Sequence, residues 1–185
     1  MKRTACYLAL LLALSAMPLI AGEVAGVKMP DRISVEGKPL VLNGLGLRTK
    51  VIFKVYVAGL YAEVPSKNAA QMIASDQIRQ VKMVMLRDLG RGKIAEAVED
   101  GFESNNKAQM PALRDRLAKF IAQIPDLKSG QELLITYVPG KGTMLSSSGA
   151  VRLTVLGKDF ADALFSVWLG ENPVDDGLKK AMMGL

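Results

Sequence analysis

The 185-residue sequence contains no histidine and a single cysteine. The lack of histidine excludes Ser-His-Asp and Cys-His nucleophiles, an imidazole general base, and zinc or haem held by imidazole. Cys6 is the only cysteine, so the chain has no internal disulfide, no CxxC redox pair and no multi-thiolate metal site. Any chemistry must use Arg, Lys, Tyr, carboxylate or hydroxyl groups, and we expect no metal, no cofactor and no catalytic residue.

The charge of the chain is moderately positive, with 24 Lys and Arg residues against 18 Asp and Glu residues and a net charge of +6. The basic residues are scattered and form neither a stripe nor a tail. This distribution is typical of an ordinary solvated surface, so we do not expect a nucleic-acid partner.

The N-terminus has the layout of a secretory signal peptide. Lys2 and Arg3 precede an apolar run from Ala5 to Ile20, and the small residues Ala21 and Gly22 follow. The run is shorter than the roughly 20 residues that a membrane-spanning helix needs. We therefore predict a signal peptide over residues 1–21, with cleavage after Ala21 or Gly22. The protein is then periplasmic or secreted, with no membrane span after cleavage.

Residues 22–185 are predicted to form one domain, which at this size buries roughly 70% of its unfolded surface. β-type segments lie towards both ends. Helical periodicity is clearest in the middle, in Ile94, Val98 and Phe102 and again in Leu113, Leu117, Phe120 and Ile124. This order predicts an α+β fold, an open antiparallel β-sheet with helices packed over one face.

Three local predictions concern the first half of the domain. The segment 36–38 is predicted to turn between two short strands, and residues 43–46 to form a glycine-rich turn. Gly44-Leu-Gly46 is not a dinucleotide-binding loop, because the third glycine and the following helix are missing. Leu47–Ala62, dense in Val, Ile, Phe and Tyr, is predicted to form one long strand.

In such a strand Arg48 and Tyr56 share a face with Lys50 and Lys54. This face has two interpretations, a half-solvated surface or a cleft in which a guanidinium and a phenol receive an anion such as a carboxylate. Eight residues of straight strand span about 26 Å. Arg48 and Tyr56 can therefore share a ligand only if the chain turns between them, and no glycine lies between them.

The sequence also resembles a known family. The segments NGLGLR (43–48), FKVYVAGLY (53–61) and FADALFSVWLGENPVDDGLK (160–179) resemble the chalcone isomerase-like family in its bacterial exported branch. With the order of the intervening elements, the similarity covers nearly all of the chain after the signal peptide. It implies the family fold, an antiparallel sheet with helices over one side.

For chalcone isomerases, the resemblance implies that Arg48 takes the place of the arginine that holds a phenolate. Tyr56 takes the place of the threonine that helps to polarise the ketone. The active-site tyrosine and asparagine fall near Lys93 and Asp100, and a hydroxyl residue of the closing segment is replaced by Val167. Only the arginine of the isomerase set is retained.

The non-catalytic fatty-acid-binding members of the family resemble the chain better. In these, an arginine and a tyrosine at the positions of Arg48 and Tyr56 hold a carboxylate, while the tail lies in an apolar cleft. Methionines suit the wall of such a cleft, although core packing is the alternative role. The candidates are Met72, Met83, Met85 and Met144.

The sequence therefore predicts a non-catalytic binder of a fatty acid or similar amphipathic carboxylate, with Arg48 and Tyr56 as ligand-binding residues. One alternative is an isomerase, an intramolecular lyase that uses Arg48 to hold a phenolic ligand. Another is an envelope accessory protein without a ligand. The oligomeric state is not predicted.

Overall fold

The computed structural model describes residues 20–185, in which nine strands and five helices are found. The predicted signal peptide lies almost wholly outside these residues. The strands are β1 Ile20–Val24, β2 Val27–Pro30, β3 Arg32–Val35, β4 Lys38–Lys50, β5 Phe53–Ala62, β6 Arg79–Met85, β7 Glu132–Val138, β8 Gly142–Ser147 and β9 Ala150–Val155. The helices are α1 Ala69–Ala74, α2 Arg91–Asn105, α3 Met110–Ala122, α4 Lys158–Leu169 and α5 Asp176–Met182.

Strands β3 to β9 form one antiparallel sheet in which spatial order follows chain order, and β3 and β9 are its edges. Strands β1 and β2 form a separate two-stranded sheet. This arrangement confirms the predicted α+β fold with an open antiparallel sheet. Within residues 20–185, no helix has both the length and the apolarity to cross a membrane.

The main hydrophobic core lies between the sheet and the helices. The predicted repeats of α2 and α3 are confirmed, because Ile94, Val98 and Phe102, like Leu113, Leu117 and Phe120, are buried in it. The rings of Phe102 and Phe120 each lie 5.8 Å from the ring of Phe160 on α4, measured between centroids. Aromatic contacts at this spacing join the three longest helices.

A smaller core lies on the opposite face of the sheet, under the β1–β2 hairpin. Met29, Val57 and Tyr61 are fully buried there, and the Tyr61 hydroxyl donates to the carbonyl of Pro30 at 3.0 Å. Consecutive residues of β5 therefore alternate between two apolar layers. This explains why the strand has little polar alternation of its own.

The prediction of one strand over Leu47–Ala62 is wrong, because the chain reverses in the middle of this segment. Lys50 pairs with Phe53, and Val51 and Ile52 form a two-residue turn. Val51 has φ 61°, in the left-handed region that valine rarely adopts. Valine and isoleucine favour strands, and no glycine or asparagine marks the reversal, so the sequence pattern concealed the turn.

The predicted turn at residues 43–46 is also wrong, since these residues lie inside β4. The two glycines allow helix α5 to pack directly on the strand. A Cβ atom at Gly44 would collide with the backbone carbonyl of Ala181, and one at Gly46 would lie 2.6 Å from the Ala181 Cβ atom. The Asn43 side chain donates to the Met182 carbonyl at 2.8 Å. The motif is therefore a docking surface for α5.

We predict that Gly44→Ala destabilises the fold by about 1–3 kcal/mol, because the atoms it meets are backbone atoms that cannot rotate away. Denaturant unfolding followed by circular dichroism measures the effect. Gly92→Ala in α2 is the matched control, since a Cβ atom there meets nothing within 4 Å and helix propensity favours alanine by up to about 1 kcal/mol. Equal stability of the Gly44→Ala variant and the wild type would contradict the close packing of α5.

Candidate functional site

Arg48 and Tyr56 are directly opposite each other on β4 and β5. The guanidinium carbon of Arg48 lies 5.4 Å from the centroid of the Tyr56 ring, within cation–π range. The pairing register shifts immediately beyond Arg48, where Thr49 pairs with Lys54 and leaves Val55 as the extra residue of a β-bulge. Arg48 and Tyr56 could share a ligand only if the chain turned between them. The turn at Val51 and Ile52 does this, so the two side chains are neighbours.

The hydroxyl of Tyr56 is held in one orientation by helix α4. Tyr56 is only 4% exposed, and the indole Nε1 of Trp168 donates to its oxygen at 2.9 Å. Because an indole can only donate, the phenol oxygen is the acceptor in this bond and its own proton remains free. Within residues 20–185 the Tyr56 hydroxyl has no hydrogen-bond acceptor of its own, so it is available as a donor to a ligand.

Burial raises the pKa of Tyr56 above its ordinary value, and the nearby charge of Asp175 adds to the rise. The positive charge of Arg48 and the Trp168 hydrogen bond oppose it without cancelling it. Tyr56 is therefore a neutral hydrogen-bond donor at physiological pH. Asp175 itself accepts from the Leu178 backbone N–H at 2.8 Å and so caps α5.

Three cavities meet at Arg48. The innermost has a volume of about 20 Å³, room for roughly one water. The outer cleft, of about 600 Å³, runs between the β4–β5 hairpin and the start of α2. A third, more polar cavity of about 280 Å³ lies between α2 and the segment before α5. Apart from Arg48 and Tyr56, the inner cavity has an almost wholly apolar lining that includes Met83, Met85, Ile94, Val167 and Trp168.

The outer cleft has an excess of positive charge. Among its lining residues are the cations Arg48, Lys50, Arg87 and Lys93 and the carboxylates Asp88 and Glu96. Asp88 forms an ion pair with Lys128 at 2.9 Å. In the described part of the chain, no carboxylate lies within 4.0 Å of any of these four cations. The cleft is therefore suited to an anion.

Arg79 on β6 is an arginine of the same sheet that serves packing, and it can be compared with Arg48. It is fully buried, forms an ion pair with Asp162 at 2.5 Å and stacks on the rings of Tyr137 and Phe165. Its charge is compensated within the protein. Arg48 has no such carboxylate partner within residues 20–185, so no acidic side chain compensates its charge there.

The remaining predicted wall residues separate into two groups. Met83 and Met85 line the inner cavity. Met72 is the buried residue of α1 and lines a different surface cavity, and Met144 packs on the opposite face of the sheet. For those two, core packing is the better interpretation.

The residues at the isomerase positions also line these cavities. Val167 faces the inner cavity, and Lys93 and Asp100 line the third one. The sequence did not indicate Trp168 as a site residue, because its contact with Tyr56 spans 112 positions of the chain. Across residues 20–185, no group of three or more Cys, Asp or Glu side chains is close enough to hold a metal ion.

Comparison with known proteins gives two findings. A family model described as chalcone isomerase-like matches residues 21–184. A crystal structure of a fatty-acid binding protein from Arabidopsis thaliana superposes with a TM-score of 0.66, covering 85% of this chain and 92% of that chain at 16% sequence identity. At this identity the likeness shows a shared fold. No protein of curated function matches the sequence.

The raised pKa of Tyr56 predicts a specific loss of stability at alkaline pH. The Tyr56 phenol of the unfolded chain ionises near pH 10, whereas the phenol of the folded protein keeps its proton at that pH. The stability that the protonated phenol contributes is therefore complete below pH 10 and is lost as the pH rises through the folded pKa. Tyr56→Phe lacks this contribution.

At neutral pH we expect Tyr56→Phe to be about 1–3 kcal/mol less stable, because the Trp168 N–H loses its acceptor. The difference in unfolding free energy between wild type and variant should shrink as the pH rises above 10. Urea titrations at a series of pH values measure it. A constant difference, or a Tyr56 phenolate that appears at the ordinary pKa, would contradict the prediction.

Proposed function

The chain belongs to the chalcone isomerase-like family, and on that basis we propose that it is a non-catalytic binder of a fatty acid or similar amphipathic carboxylate. One observation carries the proposal. Arg48 and Tyr56 are paired across β4 and β5 and both line the apolar inner cavity, and Arg48 also lines the open outer cleft. Neither side chain has an acidic partner in the described chain.

The carboxylate of the ligand binds at this pair. The planar guanidinium donates two parallel hydrogen bonds to a carboxylate, and the charge of Arg48 offsets the desolvation of the anion. The free proton of Tyr56 supplies a further donor whose direction is fixed by Trp168. These groups recognise the carboxylate without performing chemistry on it.

The tail of the ligand lies in the outer cleft. At about 600 Å³ this cleft falls within the range of small-molecule sites, whereas the inner cavity holds roughly one water. Val55, Leu89 and Ala97 provide apolar surface along it. Met83 and Met85 lie behind Arg48 and can change rotamer at low cost, so they adapt the inner wall to ligands of different shape.

The alternative is an isomerase that uses Arg48 to hold a phenolate. Such a reaction needs donors that polarise a ketone, and the position of one of these is occupied by Val167, whose side chain cannot donate. We therefore expect no turnover of a chalcone above the uncatalysed rate. Turnover that Arg48→Gln abolishes would establish the isomerase instead.

We also propose that the protein is exported. The proposal rests on the signal-peptide pattern over residues 1–21. Cell fractionation combined with N-terminal mass spectrometry tests it, with the expected result a periplasmic or secreted protein that begins at Gly22 or Glu23. A cytoplasmic protein with an intact N-terminus would exclude export.

We predict that Arg48→Gln raises the Kd for dodecanoate about 10- to 100-fold, since a hydrogen bond to a charged group contributes about 1.5–3 kcal/mol. Tyr56→Phe should have a smaller effect, because one neutral donor is lost. Isothermal titration calorimetry in vesicle-free buffer measures both.

Two controls isolate the interaction with the anion. Arg114→Gln removes an exposed arginine of α3 and should leave the Kd unchanged. Methyl dodecanoate has no charge, so the Arg48→Gln effect should disappear with this ester. A wild-type protein that binds no fatty acid would exclude the function and favour an accessory protein without a ligand.

A tail buried in the cleft predicts that affinity depends on chain length. Each CH₂ group that enters the cleft should lower the Kd about fourfold, the equivalent of roughly 0.8 kcal/mol. Titrations with saturated fatty acids of increasing length measure this until the cleft is full. An affinity that does not change with length would show that only the carboxylate is recognised.

A further inference from the structure

The tip of the β4–β5 hairpin exposes three consecutive large apolar side chains. Val51 is 89% exposed, Ile52 80% and Phe53 54%. The other large apolar side chains that the structure shows exposed are Val64, Val151, Leu156 and Leu185, no two of which adjoin in the chain. The hairpin tip is therefore the one continuous apolar protrusion among the described residues, and exposed apolar patches often mark interaction sites.

The conformation of this tip is unfavourable for its sequence. The other two-residue hairpin turns are Ala25-Gly26, Glu36-Gly37 and Ser148-Gly149, each with glycine at the second position and positive φ at both. In the β4–β5 turn the second residue is Ile52, which has no positive φ, and the first is again in the left-handed region but is the β-branched Val51. A β-branched residue in that region is strained, and folding alone does not require this side chain.

Cations surround the apolar tip. Lys50 and Lys54 flank it along the chain and are exposed, and the guanidinium of Arg87 lies 4.7 Å from the centroid of the Phe53 ring. Among residues 20–185, no carboxylate is within 4.0 Å of these three cations. The positive charges are thus available to an external anion.

We propose that this hairpin tip docks on an anionic phospholipid surface. Apolar side chains that enter the interface, together with lysines that meet headgroup phosphates, are the combination by which peripheral segments bind bilayers. Three side chains are far fewer than the 20–30 residues per partner of a stable protein interface. A lipid surface is therefore the partner that fits the size and charge of the tip.

Docking would also place the cleft at the membrane. Lys50, Val51, Phe53 and Arg87 line the outer cleft that leads to Arg48. An amphipathic carboxylate that partitions into the bilayer would then enter the cleft from the surface to which the tip is bound. Docking itself does not depend on ligand binding and can be measured without any fatty acid.

The test is sedimentation of the full chain with vesicles of equimolar phosphatidylcholine and phosphatidylglycerol, in the absence of fatty acid. Ile52→Ser should lower the partition coefficient about tenfold, and Lys54→Gln about fivefold, with a smaller loss at high salt. Neither residue lines the cleft, so fatty-acid affinity in vesicle-free buffer should stay unchanged in both. A loss of fatty-acid binding without a loss of docking, or the reverse, distinguishes the two proposals.

The matched controls are Val64→Ser and Lys107→Gln, which change an exposed valine and an exposed lysine elsewhere and should bind vesicles as the wild type does. Val51→Gly should raise the melting temperature while it weakens vesicle binding, a combination that a purely structural role would not produce. Wild-type binding that equals that of Ile52→Ser would overturn the proposal. So would a wild-type dimer that Ile52→Ser dissociates, since a second copy would then be the partner.

Discussion

The two-residue turn at Val51 and Ile52 is the constraint on which the site depends. As one straight strand, the eight residues from Arg48 to Tyr56 would span about 26 Å. The turn makes this segment a hairpin in which Arg48 is paired with Tyr56. Both side chains then line the inner cavity, and the Trp168 indole on helix α4 donates to the Tyr56 hydroxyl. The left-handed backbone of Val51 and the bulge next to Arg48 are locally unfavourable in free energy, and pairing along the rest of β4 and β5 offsets them.

The fold was largely predictable, because its signals are local. Helical periodicity located α2 and α3, and Gly37 marked the β3–β4 hairpin. The β4–β5 hairpin was not predicted, because its turn residues Val51 and Ile52 favour strands. A turn was wrongly predicted inside β4, because Gly44 and Gly46 allow close packing of α5 and do not form a turn. At Gly44 and Gly46 the contact with α5 decides the conformation, and a local pattern does not contain that information.

The sequence predicts Arg48 and Tyr56 as ligand-binding residues, which stays a prediction, but it does not show that they are neighbours. Their proximity follows from the turn at Val51 and Ile52. Trp168, which leaves the Tyr56 proton free, lies 112 positions away and has no signal of its own. The arrangement as a whole suits binding better than catalysis. Two donors are neighbours on β4 and β5, Val167 of α4 lines the same inner cavity, and the outer cleft of about 600 Å³ is within the range of small-molecule sites.

The central claim is that Arg48 and Tyr56 together hold a carboxylate whose tail leaves through the outer cleft. A crystal structure of the protein with dodecanoate tests this most directly. The account predicts carboxylate oxygens about 3 Å from the Arg48 guanidinium and the Tyr56 hydroxyl, with the chain passing Val55 and Leu89. A fatty acid bound elsewhere, with Arg48 still unengaged, would contradict it.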